Sequence, residues 1–156
     1  MTVVHNLRKL IVEMRLWHQK LIPYLDNKRL LGQHRECCAL RGKGWGRKHA
    51  TVDYVFKYDL AHLYEYHCLV MHELFKRNRY ISIDGKWFAR TYRGKNLPIA
   101  SLLEVGVYAW TGNLIYAKHN DNYLKECLLN LKSKNAELVN GKTIDEMLID
   151  LDLREK

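Results

Sequence analysis

"NKRLLGQHRECCALR", residues 27–41, carries the pattern from which the fold can be argued. At about 100° per residue, Leu30, Leu31, His34, Cys37 and Cys38 gather on one side of a helix, which predicts an amphipathic helix turning those side chains to a core. On the same wheel Arg29, Gln33 and Glu36 fall together on the far side, with Arg35 at the margin. A single carboxylate among cations and an amide is expected to face solvent or a ligand. The next stretch, "GKGWGRKH" (42–49), has three glycines in five positions. Glycine ends helices and lets backbone approach a ligand closely, so this stretch reads as a basic loop carrying Trp45.

Further along, Leu60, Leu63, Tyr64, His67, Val70, Met71, Leu74 and Phe75 recur at helical spacing and predict a second helix over about 59–78. Residues 79–118 are rich in Gly, Tyr, Trp and Arg with little periodicity, and are expected to be irregular connections with one short helix near 101–108. Asn120 and Asp121 can cap a helix whose Tyr123, Leu124, Cys127, Leu128 and Leu131 make an apolar stripe. "TIDE" (143–146) is a capping-box pattern, Thr143 at the cap and Glu146 three residues on, with Met147, Leu148 and Leu151 behind. With 156 residues, 47% of them hydrophobic, the chain predicts an all-α fold: a single compact helical domain with long irregular connections.

The net charge of +9 is unevenly spread. From Arg15 to Lys48 nine Lys and Arg stand against Asp26 and Glu36, a local charge of +7. From Glu137 onward six carboxylates outnumber Lys142, Arg154 and Lys156. A concentrated positive field draws polyanions by displacing their condensed counterions, which makes nucleic acid the leading partner over a merely solvated face. No run of 18 apolar residues occurs, and residues 1–13 lack the apolar core and cleavage site of a secretory signal, so a soluble, cytoplasmic protein with no membrane partner is expected. Four cysteines, two of them adjacent, give no disulfide framework. Neither His34, Cys37 and Cys38 nor His67, Cys68 and His72 has the paired spacing of a metal motif, so no metal is expected. His62, His67 and His72 are expected to pack against helix neighbours, and Cys68 and Cys127 to be small core residues.

"LIPYLDNKRLLGQHRE" (21–36), "GRKH" (46–49) and "YDLAHLYEYHCLVMHELFKRNRYISI" (58–83) together resemble the phage-type pyrimidine-dimer DNA glycosylases, also called endonuclease V. That family is small, single-domain and all-helical. In it the α-amino group at the chain's start attacks the anomeric carbon of the damaged nucleotide, and a glutamate on the first long helix assists. The resemblance implies that Glu36 is this glutamate and Arg35 its basic neighbour. Carried back from Leu21, it sets the working amino terminus at Met14, followed by Arg15. Residues 1–13 have no counterpart in the family and are expected to be an extension or the product of a misplaced start, before a domain over 14–156. The alternative is that Met1 is removed and the amine of Thr2 must reach Glu36 from 34 residues away.

A peptide nitrogen at Met14 could not serve, since its lone pair is delocalised into the amide. An α-amine can, because its pKa of about 7.7 to 8.0 leaves a neutral fraction near neutral pH. Arg15 and Arg35 nearby would lower that pKa. The resemblance thus implies a DNA glycosylase and abasic-site lyase acting through an imine on pyrimidine dimers in double-stranded damaged DNA, as a monomer with no cofactor. Arg15, Arg29, Arg41, Lys43, Arg47 and Lys48 are the candidate phosphate contacts. Trp45 or Trp17 could fill the space left by a displaced base, although Trp17 equally suits a core, and Glu36 could instead pair with Arg29 on the helix surface. Lys125, Lys132 and Lys134 mark a late helix, and in the family a late helix supplies phosphate contacts. The rival is a non-catalytic basic nucleic-acid-binding protein whose extended terminus blocks the amine.

Overall fold

The computed structural model describes residues 15–41, 53–58, 60–77 and 113–155, and among these it holds helices and turns without a strand. Four α-helices carry the fold: α1 (Asn27–Arg41), α2 (Leu60–Lys76), α3 (Asp121–Ser133) and α4 (Ile144–Glu155). Short 3₁₀ turns lie ahead of α1 at Gln19–Tyr24 and between α1 and α2 at Asp53–Phe56. The all-α expectation holds, and the first helix has the bounds its pattern predicts. The short helix expected near 101–108 lies outside the described residues.

Local chemistry explains the helix ends. Asp26 starts α1, its carboxylate accepting the Arg29 N–H at 2.9 Å. Asn120 starts α3 by accepting the Tyr123 N–H at 2.9 Å, and Thr143 starts α4 by accepting the Glu146 N–H at 3.1 Å. At the end of α3, Asn135 adopts φ 56°, the N–H of Ala136 reaches the Leu131 carbonyl and that of Asn135 the Lys132 carbonyl, both at 3.0 Å. This is a Schellman closure with asparagine in the left-handed place.

The core forms where α1 meets α2 and where α3 meets α4. Leu30, Cys37 and Leu40 of α1 join Leu63, Tyr66, Val70, Met71 and Leu74 of α2, while Leu124, Cys127, Leu128 and Leu131 of α3 join Ile144 and Leu151 of α4. Leu16, Trp17, Leu21, Ile22 and Leu25, from the chain ahead of α1, belong to the same cluster. The turn before α1 is tied down from two sides. Arg77, just past α2, donates to the carbonyls of Leu25 (2.6 Å) and Pro23 (2.8 Å) while Glu73 accepts from its Nε at 3.1 Å. On the other side the Val139 N–H donates to the Tyr24 carbonyl at 2.8 Å.

Candidate active site

The candidate glutamate sits on α1, but it does not face solvent. Glu36 is 7% exposed and Gln33 only 2%, which corrects the outward orientation expected from the helical wheel. The wheel treats a polar face as a wet one, whereas the chain ahead of α1 here lies back over that face. Nor does Arg29 pair with Glu36: its guanidinium binds Asp26 at 2.8 Å. Arg35 is exposed.

Gln33 explains how the preceding chain is held. Its Oε1 accepts the Trp17 N–H at 2.6 Å, and its Nε2 donates to the Arg15 carbonyl at 2.9 Å. Tyr66 of α2 closes the arrangement from below, its hydroxyl lying 2.6 Å from the Trp17 carbonyl and 2.7 Å from Gln33 Oε1. Tyr123 of α3 donates to the Leu16 carbonyl. Residues 15–17 are therefore fixed by main-chain hydrogen bonds to three helices. Gln33 and Glu36, three apart on α1, share a face, with about 5–6 Å expected between their Cβ atoms.

Arg15 is buried, at 6% exposure. Its guanidinium carbon stands 5.6 Å from the centre of the Trp17 ring, and Nη1 lies 3.6 Å from Glu126 Oε1. Trp17 is 4% exposed within the core, which places it among packing residues. Lys134 Nζ stands 5.7 Å from the same ring.

A layer of buried aromatic and imidazole groups supports this segment. His119 Nδ1 accepts the Gln19 N–H at 3.2 Å, which puts the ring proton on Nε2, 2.7 Å from the Tyr54 hydroxyl. The His119 ring stacks on His18 at 5.4 Å and on Tyr123 at 5.1 Å. Burial lowers the pKa of His18 to about 4 and of His119 to about 3, so both are neutral at physiological pH. Burial likewise pushes the Tyr54, Tyr66 and Tyr123 hydroxyls up, leaving them as protonated donors.

Two of the late-helix lysines have other partners. Lys132 lies 2.9 Å from Asp145 and Lys125 4.0 Å from Asp152, so the acidic tail is drawn onto α3. Thr2, Met14, Lys43, Trp45, Arg47 and Lys48 lie outside the described residues, as does the side chain of Arg41.

Sequence reasoning missed Gln33, Tyr66, Tyr123 and His119 as positioning groups. The available signal was a glutamine one turn ahead of the glutamate, on a helix otherwise preceded by an apolar segment. It also missed a juxtaposition of His34, Cys38 and His67 between α1 and α2, having grouped His34 with Cys37 and Cys38, and His67 with Cys68 and His72.

Comparison with known proteins places this architecture. Residues 14–88 match the family model described as pyrimidine dimer DNA glycosylase. Among the described residues the secondary structure is helical, and over the matched span the chain resembles a DNA glycosylase family. The matched span begins one residue before Arg15 and takes in α1 and α2, so the front of the chain is similar to the pyrimidine dimer DNA glycosylase family. No curated protein and no solved structure matches the chain. Among the described residues no helix is long and apolar enough to cross a membrane.

Proposed function

We propose that the chain, with its amino terminus at Met14, cuts the glycosidic bond of a damaged pyrimidine in double-stranded DNA and then cleaves the strand. The α-amine of Met14 attacks C1′ of one nucleotide of the dimer as the bond from C1′ to its base breaks, and the freed base takes up a proton and stays tethered to the neighbouring pyrimidine through the cyclobutane ring. The sugar ring opens and the nitrogen and C1′ form an imine. Loss of a proton from C2′ then expels the 3′ phosphate by β-elimination. Glu36 moves these protons and stabilises the cationic sugar as it develops.

One observation carries this reading: the Gln33 clamp on residues 15–17. A nucleophile must be held in place to gain from proximity, and one trans peptide step of about 3.8 Å between Cα atoms separates Met14 from the clamped Arg15. The same helix face carries Glu36 in a buried setting, where a carboxylate acts more strongly than in water. Buried Arg15 adds a fixed positive charge that favours the neutral amine. The family match, opening at residue 14, supports the same start. Arg29, Arg35, Arg41, Lys43, Arg47 and Lys48 hold phosphates, and Trp45 takes the space of the displaced base. The enzyme acts as a monomer, and a cyclobutane pyrimidine dimer is its substrate.

The test is incision of two duplexes, one with a single cyclobutane dimer and one with an abasic site, by the chain starting at Met14. Cleavage of both supports the assignment. Cleavage of the abasic duplex alone moves the substrate to another lesion, and tight binding without cleavage leaves a basic DNA-binding protein.

A further inference from the structure

We infer that His34, Cys38 and His67 form a zinc site that pins α1 to α2. It does not rest on the glycosylase reading. The three side chains are all buried, and their ligand atoms lie within 4.8 Å of one another. His67 Nε2 is the shared neighbour, 2.9 Å from His34 Nδ1 and 3.8 Å from Cys38 Sγ, which is also 3.8 Å from His34 Nε2.

Those spacings are close to what a tetrahedral ion requires. Zinc bonds of about 2.0–2.1 Å to nitrogen and 2.3 Å to sulfur place two nitrogens about 3.3 Å apart and a nitrogen and sulfur about 3.6 Å apart. With His34 binding through Nδ1, the two imidazoles need part by about 0.4 Å and the sulfur close on His67 Nε2 by about 0.2 Å, while the His34 ring swings to turn Nδ1 toward the ion. The backbone supplies the arrangement without strain. His34 and Cys38 are one helical turn apart on the same face of α1, and α2 brings His67 against them.

The donor set fits a borderline-soft divalent cation: two imidazoles and one thiolate suit zinc and exclude calcium or magnesium, which take oxygen ligands. His34 is kept neutral by burial, the form in which an imidazole binds metal. A water or a fourth side chain completes the tetrahedron. The ion sits on the face of α1 opposite Glu36, as the sequence offset of two residues between each ligand and Glu36 dictates. Its role is to hold α1 against α2.

The test uses the untagged full chain, because an affinity tag of histidines would bind metal itself. Wild-type protein prepared without chelator should carry about one equivalent of zinc through gel filtration, and its thermal midpoint should fall when the ion is stripped and recover when zinc is returned. Cobalt(II) in place of zinc should give the visible bands of a tetrahedral ion and a thiolate charge-transfer band. That band should vanish in Cys38→Ala, and His67→Gln should weaken cobalt affinity at least about tenfold. Two results overturn the site: folded wild-type protein that takes up neither zinc nor cobalt, or a charge-transfer band that persists in Cys38→Ala. The readouts are metal content and absorption, so the result stands whether or not the chain cleaves DNA.

Discussion

The Gln33 side-chain amide donates to the Arg15 carbonyl at 2.9 Å, so α1 grips the main chain one residue after Met14. Replacing Gln33 by Ala strips partners from the Arg15 carbonyl and the Trp17 N–H, both buried. An orphaned buried group costs about 1–3 kcal/mol, and the thermal midpoint should drop accordingly. The more telling effect is on chemistry. Covalent trapping on abasic DNA should slow by at least about tenfold, while affinity for the same DNA, measured by anisotropy, changes little. Gln33→Glu keeps the acceptor for Trp17 and loses the donor to Arg15, so its trapping rate should fall between the two.

Glu36→Gln tests the carboxylate without changing its shape. General acid–base groups contribute typically about 10² to 10⁴ in rate, and strand cleavage should fall by that order. Gel-based single-turnover incision reads the loss. The circular dichroism melt should remain cooperative, and DNA affinity should hold or rise, since one negative charge has left the face that meets phosphate.

Arg77 closes the loop between the 3₁₀ turn and α1. Its guanidinium serves the carbonyls of Leu25 and Pro23 together with Glu73, which only a planar fork of donors can do at once. Arg77→Ala leaves Glu73, 5% exposed, with the exposed Lys76 at 3.5 Å as its one cation among the described residues, and should destabilise the fold by about 3–5 kcal/mol. Arg77→Lys should recover less than half of that. Urea denaturation of the two variants gives the comparison.

Acid should weaken the fold through His18 and His119. Unfolded, each imidazole takes up its proton near pH 6.5; folded, burial delays this to about 4 for His18 and about 3 for His119. The unfolded chain therefore binds more protons in between, and stability present above pH 6.5 is lost as the pH falls toward 3. Each ring can contribute up to about 1.4 kcal/mol per pH unit across its own window. Lys20 and Arg154 oppose protonation of His18 and Asp121 favours it, while His18 itself opposes protonation of His119. Thermal midpoints measured from pH 7.5 to 4 should slope downward, and His119→Gln should flatten the slope.

Much of the scaffold was legible because its signals are local. The residues 27–41 pattern, the Asn120 cap and the Thr143 cap each depend on neighbours within a turn, and each element appears where they point. The site was legible only in part. Glu36 stood out by resemblance, but its burial depends on what covers α1, and Gln33 was read as outward because its partners Arg15, Trp17 and Tyr66 lie 16 to 33 residues away. His34, Cys38 and His67 escaped notice for the same reason: one turn of α1 supplies two members, and the third comes from a separate helix. Spacing rules describe ligands within one segment, while helix packing decides which segments meet.

Whether the nitrogen of Met14 is the nucleophile is settled most directly by borohydride reduction. Chains starting at Met1 and at Met14 are each mixed with abasic-site duplex, reduced, and digested, and the peptide carrying the sugar is sequenced by mass spectrometry. The Met14 chain should become covalently attached through its first residue, with the Met1 chain attached far more slowly or not at all. Attachment through a lysine side chain, attachment of the Met1 chain at full rate through Thr2, or attachment of neither chain would contradict the amine assigned to Met14.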